Sequence, residues 1–404
     1  MTRPEAVGLD SARLQHLDRF LQQRYLDTGR LPCTMTLIER GGQLAHCSLQ
    51  GYMDVERARP VAHDTLFRIY SMTKPITSVA VMMLVEEGRI ALDDPVHHYI
   101  PQWRDLGVYE GGLIGAFRTR PTSTPMRIVD LLRHTSGLTY GLQQRTNVDA
   151  AYRKFGFGDP ASAGTLEAMI EGLAKIPLEA SPGELWNYSV STDVLGYLVG
   201  KVAGVPFEEF LRQRIFKPLA MIDTDFHVPA EKASRLAACY VVAPDGRMKL
   251  QDDPQSSSLL RPPSFVSGGG GLVSTAADYL RFCRMLLNGG ILDGVRLLSP
   301  KTVELMTTNH LPGGKELHDM SVSLFSEAGY AGVGFGLGFA VTTSPARSLI
   351  PGNEGEFSWG GMASTYFWVD PREQLIVIFM TQLIPATLYN LRRELRTLVY
   401  SAFT

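Results

Sequence analysis

The chain has 404 residues, of which 45% are hydrophobic and 20% charged. That is enough to bury a large core in one to three domains. Its formal net charge of −2 gives no electrostatic case for nucleic acid or an anionic membrane surface as a partner. No apolar run reaches the length of a membrane span. The opening residues, Met1 to Gly8, lack a hydrophobic signal core, so the chain reads as cytosolic. Four cysteines, Cys33, Cys47, Cys239 and Cys283, form no Cys-x-x-Cys pair and have no histidine at zinc spacing. Four reduced thiols, no metal site and no cofactor are expected.

In chain order, residues 10–28 read as an amphipathic helix with Leu14, Leu17, Leu21 and Tyr25 on one side. Residues 34–40 and 43–51 read as antiparallel strands about Gly41-Gly42. A two-residue turn there does not set Cys33 opposite Cys47. An extended segment, Leu66 to Ile69, then gives way to a helical one. Ile76, Val79, Ala80, Met83 and Leu84 fall at the spacing of one buried helix face. Pro75 suits the first turn and Gly88 the stop.

The middle of the chain is rich in helical patterns, at 128–133, 164–176, 192–203 and 207–216. The stretches 105–125 and 141–163 carry Gly, Pro and Thr and read as surface excursions. Gly268 to Gly271 reads as a tight turn before a helix over 275–287, because no Gly-Lys-Ser/Thr follows for a phosphate loop. Strand patterns return at 335–342, 363–369 and 374–381, and a helix over 386–401 closes the chain. The fold class implied is α+β. An antiparallel sheet of about five or more strands is built from both chain ends and flanked by the terminal helices, with a mainly helical insertion. The expected division is 1–80 with 260–404 as one domain and 81–259 as the other, with a ligand cleft between them.

Ser71-Met72-Thr73-Lys74 stands at the strand-to-helix junction. A serine and a lysine three apart at a helix start share a face, about 5–6 Å apart at Cβ. The serine oxygen there meets free N–H groups and the positive end of the helix dipole, and a neighbouring amine is placed to handle its proton. Acyl transfer also needs a base, an oxyanion site and shelter from bulk water. Trp186-Asn187-Tyr188-Ser189-Val190 offers a tyrosine at a loop end, a candidate general base. Ser358-Trp359-Gly360-Gly361-Met362, directly before the strand expected at 363–369, offers two glycines that let a main-chain N–H approach a ligand. Whether Tyr188 or Lys74 is the primary base stays open. A triad through His134 and Ser136 is not supported, because the chain has no Gly-x-Ser-x-Gly elbow.

Taken together and in order, these segments resemble the serine hydrolases that share the class C β-lactamase and D-alanyl-D-alanine carboxypeptidase fold, and within them the family VIII carboxylesterases. Glu87 to Val96, Leu131 to Leu138 and Gly269 to Thr275 are similar to structural signatures of the group. The resemblance implies Ser71 as nucleophile and Lys74 with Tyr188 as the proton-handling pair. It implies the N–H groups of Ser71 and Met362 as oxyanion hole, and Trp359, Gly360, Gly361, Tyr140 and Val190 as pocket residues. Two departures bear on substrate. Val190 stands where penicillin-recognising relatives carry an asparagine, and Trp359 where they carry the lysine of Lys-Thr-Gly. Both make the cleft more apolar and less anion-seeking, favouring neutral, short-chain carboxylic esters as the small-molecule partner. β-Lactamase, amidase, peptidase or acyltransferase activity at the same site is the alternative.

Overall fold

The computed structural model describes residues 1–159, 164–322 and 331–404. Its centre is an eight-stranded antiparallel sheet that draws on both ends of the chain. The N-terminal end supplies β1 (Cys33–Arg40), β2 (Gln43–Asp54) and β3 (Arg59–Pro60). The C-terminal end supplies β4 (Val333–Phe335), β5 (Ala340–Thr342), β6 (Phe357–Gly360), β7 (Tyr366–Asp370) and β8 (Leu375–Met380). The strand order is β4-β5-β6-β7-β8-β1-β2-β3, so β1 pairs with β8 in the middle. The Gly41-Gly42 turn sets Leu37 opposite Cys47 and Cys33 opposite Gly51, and all four cysteines are free.

Helix α1 (Ser11–Leu21) is capped by Asp10, whose carboxylate accepts from the N–H groups of Ala12 and Arg13. Together with α5 (Leu391–Tyr400) it covers one face of the sheet. Leu14, Leu17, Leu21, Leu391 and Leu395 pack there on Ile38, Trp368 and Val377. The opposite face, with Leu37, Phe367, Ile376 and Ile378, joins the main core beneath α2 (Thr73–Glu86) and α4 (Ala276–Leu287). Between α2 and α4 in the chain lies α3 (Ser191–Ala203), which packs on α2. Helix α2 is buried on every side, from Thr73 to Leu84. The single apolar stripe expected there understates it, because the sheet and the insertion enclose the helix together.

Several expectations are corrected. The 105–125 excursion is a β-hairpin, Val108–Leu113 with Ala116–Arg120, turning at Gly115. The 141–163 excursion holds a helix, Asn147–Phe155, capped by Thr146; its residues 160–163 lie outside the described residues. The 335–342 segment is the inner part of a two-strand hairpin rather than one strand. The strand expected at 363–369 begins at Tyr366, while Phe357–Gly360, read as its approach, is itself a strand. The last helix begins at Leu391 and not at 386. Strand pairing also ties the inserted segment to the C-terminal end, because Cys239–Val242 runs parallel to Leu383–Ile384. Among the described residues no helix is long and apolar enough to cross a membrane, and no His/Cys/Asp/Glu group could hold a metal ion.

Candidate active site

Ser71 sits in a 3-10 turn, Tyr70–Met72, that feeds directly into α2. The residue before it, Tyr70, has a φ of 42°, the left-handed region that is costly for a bulky side chain. Such strain persists where the surroundings over-determine it. Here Arg68, almost fully buried, anchors the approach through Asp252 at 2.6 Å, the Ala237 carbonyl at 2.6 Å and Gln382. The turn thus presents Ser71 at the helix start, at the floor of a cavity of about 500 Å³.

Lys74 follows one turn on and is 2% exposed. Its Nζ donates to Ser71 Oγ at 3.2 Å, to Tyr140 OH at 3.2 Å and to the Gly269 carbonyl at 2.5 Å. These three acceptors match the three donors of an ammonium group. The Nζ also lies 4.6 Å from the centre of the Tyr188 ring, a cation–π distance. The phenol that Lys74 reaches by hydrogen bond is therefore Tyr140, while it meets Tyr188 on its ring face.

Tyr188 is wedged among aromatic rings. Trp186 stacks on it at 5.9 Å, and His134, Tyr140 and Trp359 surround it at 4.8, 5.5 and 5.4 Å. The indole Nε1 of Trp359 donates to its hydroxyl at 3.3 Å. His134 is fully buried and pairs with Ser189. Burial first, then Lys74, lowers its basicity, so it serves as a neutral packing group. Ser136 bonds Ser191. Neither meets Ser71, in keeping with the absence of a triad motif.

The four-glycine run is a turn before α4, whose N-cap is Thr275, but it also closes the site. Asp193, buried in α3, accepts from Ser267 Oγ at 2.5 Å and from the Gly269 N–H at 2.9 Å, which turns the Gly269 carbonyl toward Lys74. A Cβ on Gly269 would sit 2.7 Å from Asp193 Oδ2 and 2.8 Å from Tyr140 OH. Burial pushes the Asp193 carboxyl above its ordinary value, with Lys74 opposing. Burial above all, then Asp193 and Tyr188, pushes the Tyr140 phenol far above its ordinary range, so it remains a neutral hydroxyl.

Trp359, Gly360, Gly361 and Met362 form the wall opposite, together with Leu142, Val322 and Pro385. Gly361 packs against the main chain at Ile69 and thereby sets Met362 beside the nucleophile turn. The space where a side chain on Gly360 would stand is taken by Arg392, whose guanidinium lies over the Tyr366 ring. Val190 does not line the cavity. As the N-cap residue of α3 it is fully buried, and its Cγ1 closes on the Cα of Gly158, which does line it. The sequence reading missed Asp193, the Gly269 carbonyl and Arg392. All three meet the site through long-range contacts, and only the unusual run of glycines hinted at one of them.

Comparison with known proteins places nearly the whole chain in one family. A family model described as Beta-lactamase matches residues 17–399. Protein Rv1367c of Mycobacterium tuberculosis is 38% identical over 362 residues, 89% of this chain and 88% of the relative. Esterase EstB of Burkholderia gladioli is 31% identical over 397 residues, 94% of this chain and 93% of the relative. Among solved structures, "EstCE1, a hydrolase with promiscuous acyltransferase activity" superposes with a TM-score of 0.80 at 26% identity, covering 98% of this chain and 99% of that one. The chain belongs to the beta-lactamase family, as a serine hydrolase of the β-lactamase fold.

Proposed function

We propose that this chain is a carboxylesterase of the family VIII kind, hydrolysing neutral, short-chain carboxylic esters through an acyl-enzyme on Ser71. The observation that carries the reading is the 3.2 Å contact between Lys74 Nζ and Ser71 Oγ at the floor of a cavity walled by Tyr140, Tyr188 and Trp359. EstB, similar along nearly the whole chain, is named an esterase, which supports it. The volume of about 500 Å³ is that of an ordinary small-molecule pocket. Four free cysteines suit the reducing interior of a cell.

In this mechanism Lys74 holds Ser71 Oγ in place through their 3.2 Å contact. Tyr140 is kept a neutral phenol by burial and by Asp193. Proton acceptance falls to Tyr188, whose oxygen already receives the Trp359 N–H. Ser71 Oγ attacks the ester carbonyl as its proton passes to the Tyr188 oxygen, which must enter the step as the phenolate, and the Lys74 amine over that ring offsets its charge. The oxyanion is met by the N–H groups of Ser71 and Met362. The C–O bond to the alcohol breaks as Tyr188 returns the proton to it. Water then repeats the sequence on the acyl-enzyme and regenerates Ser71.

A second reading, acyl transfer to an alcohol in place of water, is favoured by the resemblance to EstCE1. Rates on p-nitrophenyl acetate, on a chromogenic cephalosporin, and on the ester with an added alcohol separate the readings. Hydrolysis of the ester well above lactam turnover is expected. A dominant lactam rate overturns the esterase assignment, and a product that forms only with the acceptor points to a transferase.

A further inference from the structure

A second cavity, of about 590 Å³, shares no lining residue with the one at Ser71. It lies where β2 has only the two-residue β3 on its outer side, and where Leu44, Cys47 and Leu49 of β2 are only partly buried. Its walls are the aliphatic side chains Met35, Leu37, Leu44, Leu49 and Leu280. Arg284 and Arg281 border it but are engaged, Arg284 with Glu39 and Arg281 with Asp293 and the Leu219 carbonyl. A thiol and an imidazole stand in this apolar wall. Cys47 Sγ and His63 Nδ1 lie 3.7 Å apart. The other thiols, Cys33, Cys239 and Cys283, are 0% exposed.

We propose that this cavity is a covalent capture site for apolar α,β-unsaturated carbonyl compounds, with Cys47 as nucleophile and His63 as its base. The 3.7 Å contact lets the imidazole activate the thiol. Burial, and then Asp18, push the Cys47 thiol above its ordinary value, so the thiol is protonated at neutral pH and needs a partner to take its proton. An imidazole nitrogen at hydrogen-bond distance does so. Sγ then forms a bond to the β-carbon of the acceptor. The π pair moves to the α-carbon, and that carbon takes the proton back from the imidazolium, leaving a saturated carbonyl thioether. Atoms and electrons balance without an oxidant or reductant. The aliphatic walls select acceptors with an apolar tail over water-soluble ones.

The test uses the full chain with two enones of equal intrinsic reactivity, pent-3-en-2-one and non-3-en-2-one, with rates normalised to those with glutathione. Peptide mapping is expected to find the adduct on Cys47 alone, forming with saturation kinetics. The longer enone should react at least about tenfold faster, because its extra methylenes enter the apolar walls. His63→Gln should slow the adduct by about a hundredfold, while iodoacetamide still labels Cys47 and the melting transition is unchanged. Equal rates for the two enones, full reactivity in His63→Gln, or adducts spread over the other cysteines would overturn the proposal.

Discussion

Substituting alanine for Gly361 probes the geometry on which the esterase account depends. The added Cβ would lie 2.5 Å from the Ile69 carbonyl oxygen and closer still to Thr365 Oγ1. The threonine can rotate away. The carbonyl cannot, because it belongs to the strained turn two residues before Ser71. Ordinary contact begins at 3.4 Å, so the two segments must part by about 0.9 Å, the difference of those distances. That moves Met362 relative to Ser71 and pulls apart the two N–H groups assigned to the oxyanion. A misplacement of about 1 Å costs roughly a hundredfold in rate, and loss of one oxyanion donor costs about 10²–10³ in kcat. Gly361→Ala should therefore lower kcat on p-nitrophenyl acetate about a hundredfold with little change in KM. Overpacking should cost it about 1–3 kcal/mol in urea unfolding. A cooperatively folded variant that keeps kcat within about threefold of the wild type would refute the reasoning.

Other outcomes follow from the same contacts. Ser71→Ala should lose nearly all ester turnover while its unfolding curve stays close to that of the wild type; retained turnover would mean another nucleophile. Tyr188→Phe should lose about 10²–10⁴ in kcat, the usual contribution of a general base, whereas Tyr140→Phe should lose about tenfold or less, since Tyr140 only positions Lys74. Steady-state kinetics of the pair decide which phenol moves the proton, and equal losses would erase the distinction drawn here. Asp193 gives a pH test. Its carboxyl is raised on folding, so the folded state binds the proton more tightly than the unfolded chain. Its stabilising contribution is present below the unfolded value near 4 and is lost as pH rises through the folded one. Asp193→Asn lacks this loss, so its stability relative to the wild type should rise with pH across that window in urea titrations; a flat or falling difference counts against the assignment.

What could be read from the sequence was local. The Ser71 junction, the Gly41-Gly42 hairpin and the amphipathic first helix each announce themselves within about a dozen residues, through period, turn chemistry and helix start and stop residues. The 105–125 hairpin was hidden because Gly111, Gly112 and Gly115 look like loop, although positive φ at these positions is what its turn and bulge require. The helix Asn147–Phe155 did carry a signal, the Thr146-Asp149 capping box, inside a stretch judged by composition. The site was legible as a set of motifs and illegible as a set of contacts. Nothing near Lys74 in the chain says that its phenol partner is Tyr140, or that Asp193 turns the Gly269 carbonyl toward it. Val190 was placed in the pocket by motif position, yet its backbone starts α3 and sends the side chain into the core.

The most direct test of the central claim is a rapid-quench experiment with p-nitrophenyl acetate, followed by mass spectrometry of the peptide containing residues 71–74. The account predicts a burst of p-nitrophenol matched by an acetyl group on Ser71 that disappears at the steady-state rate. Turnover with no acyl group on Ser71, or an acyl group on another residue that forms and decays at that rate, would contradict it.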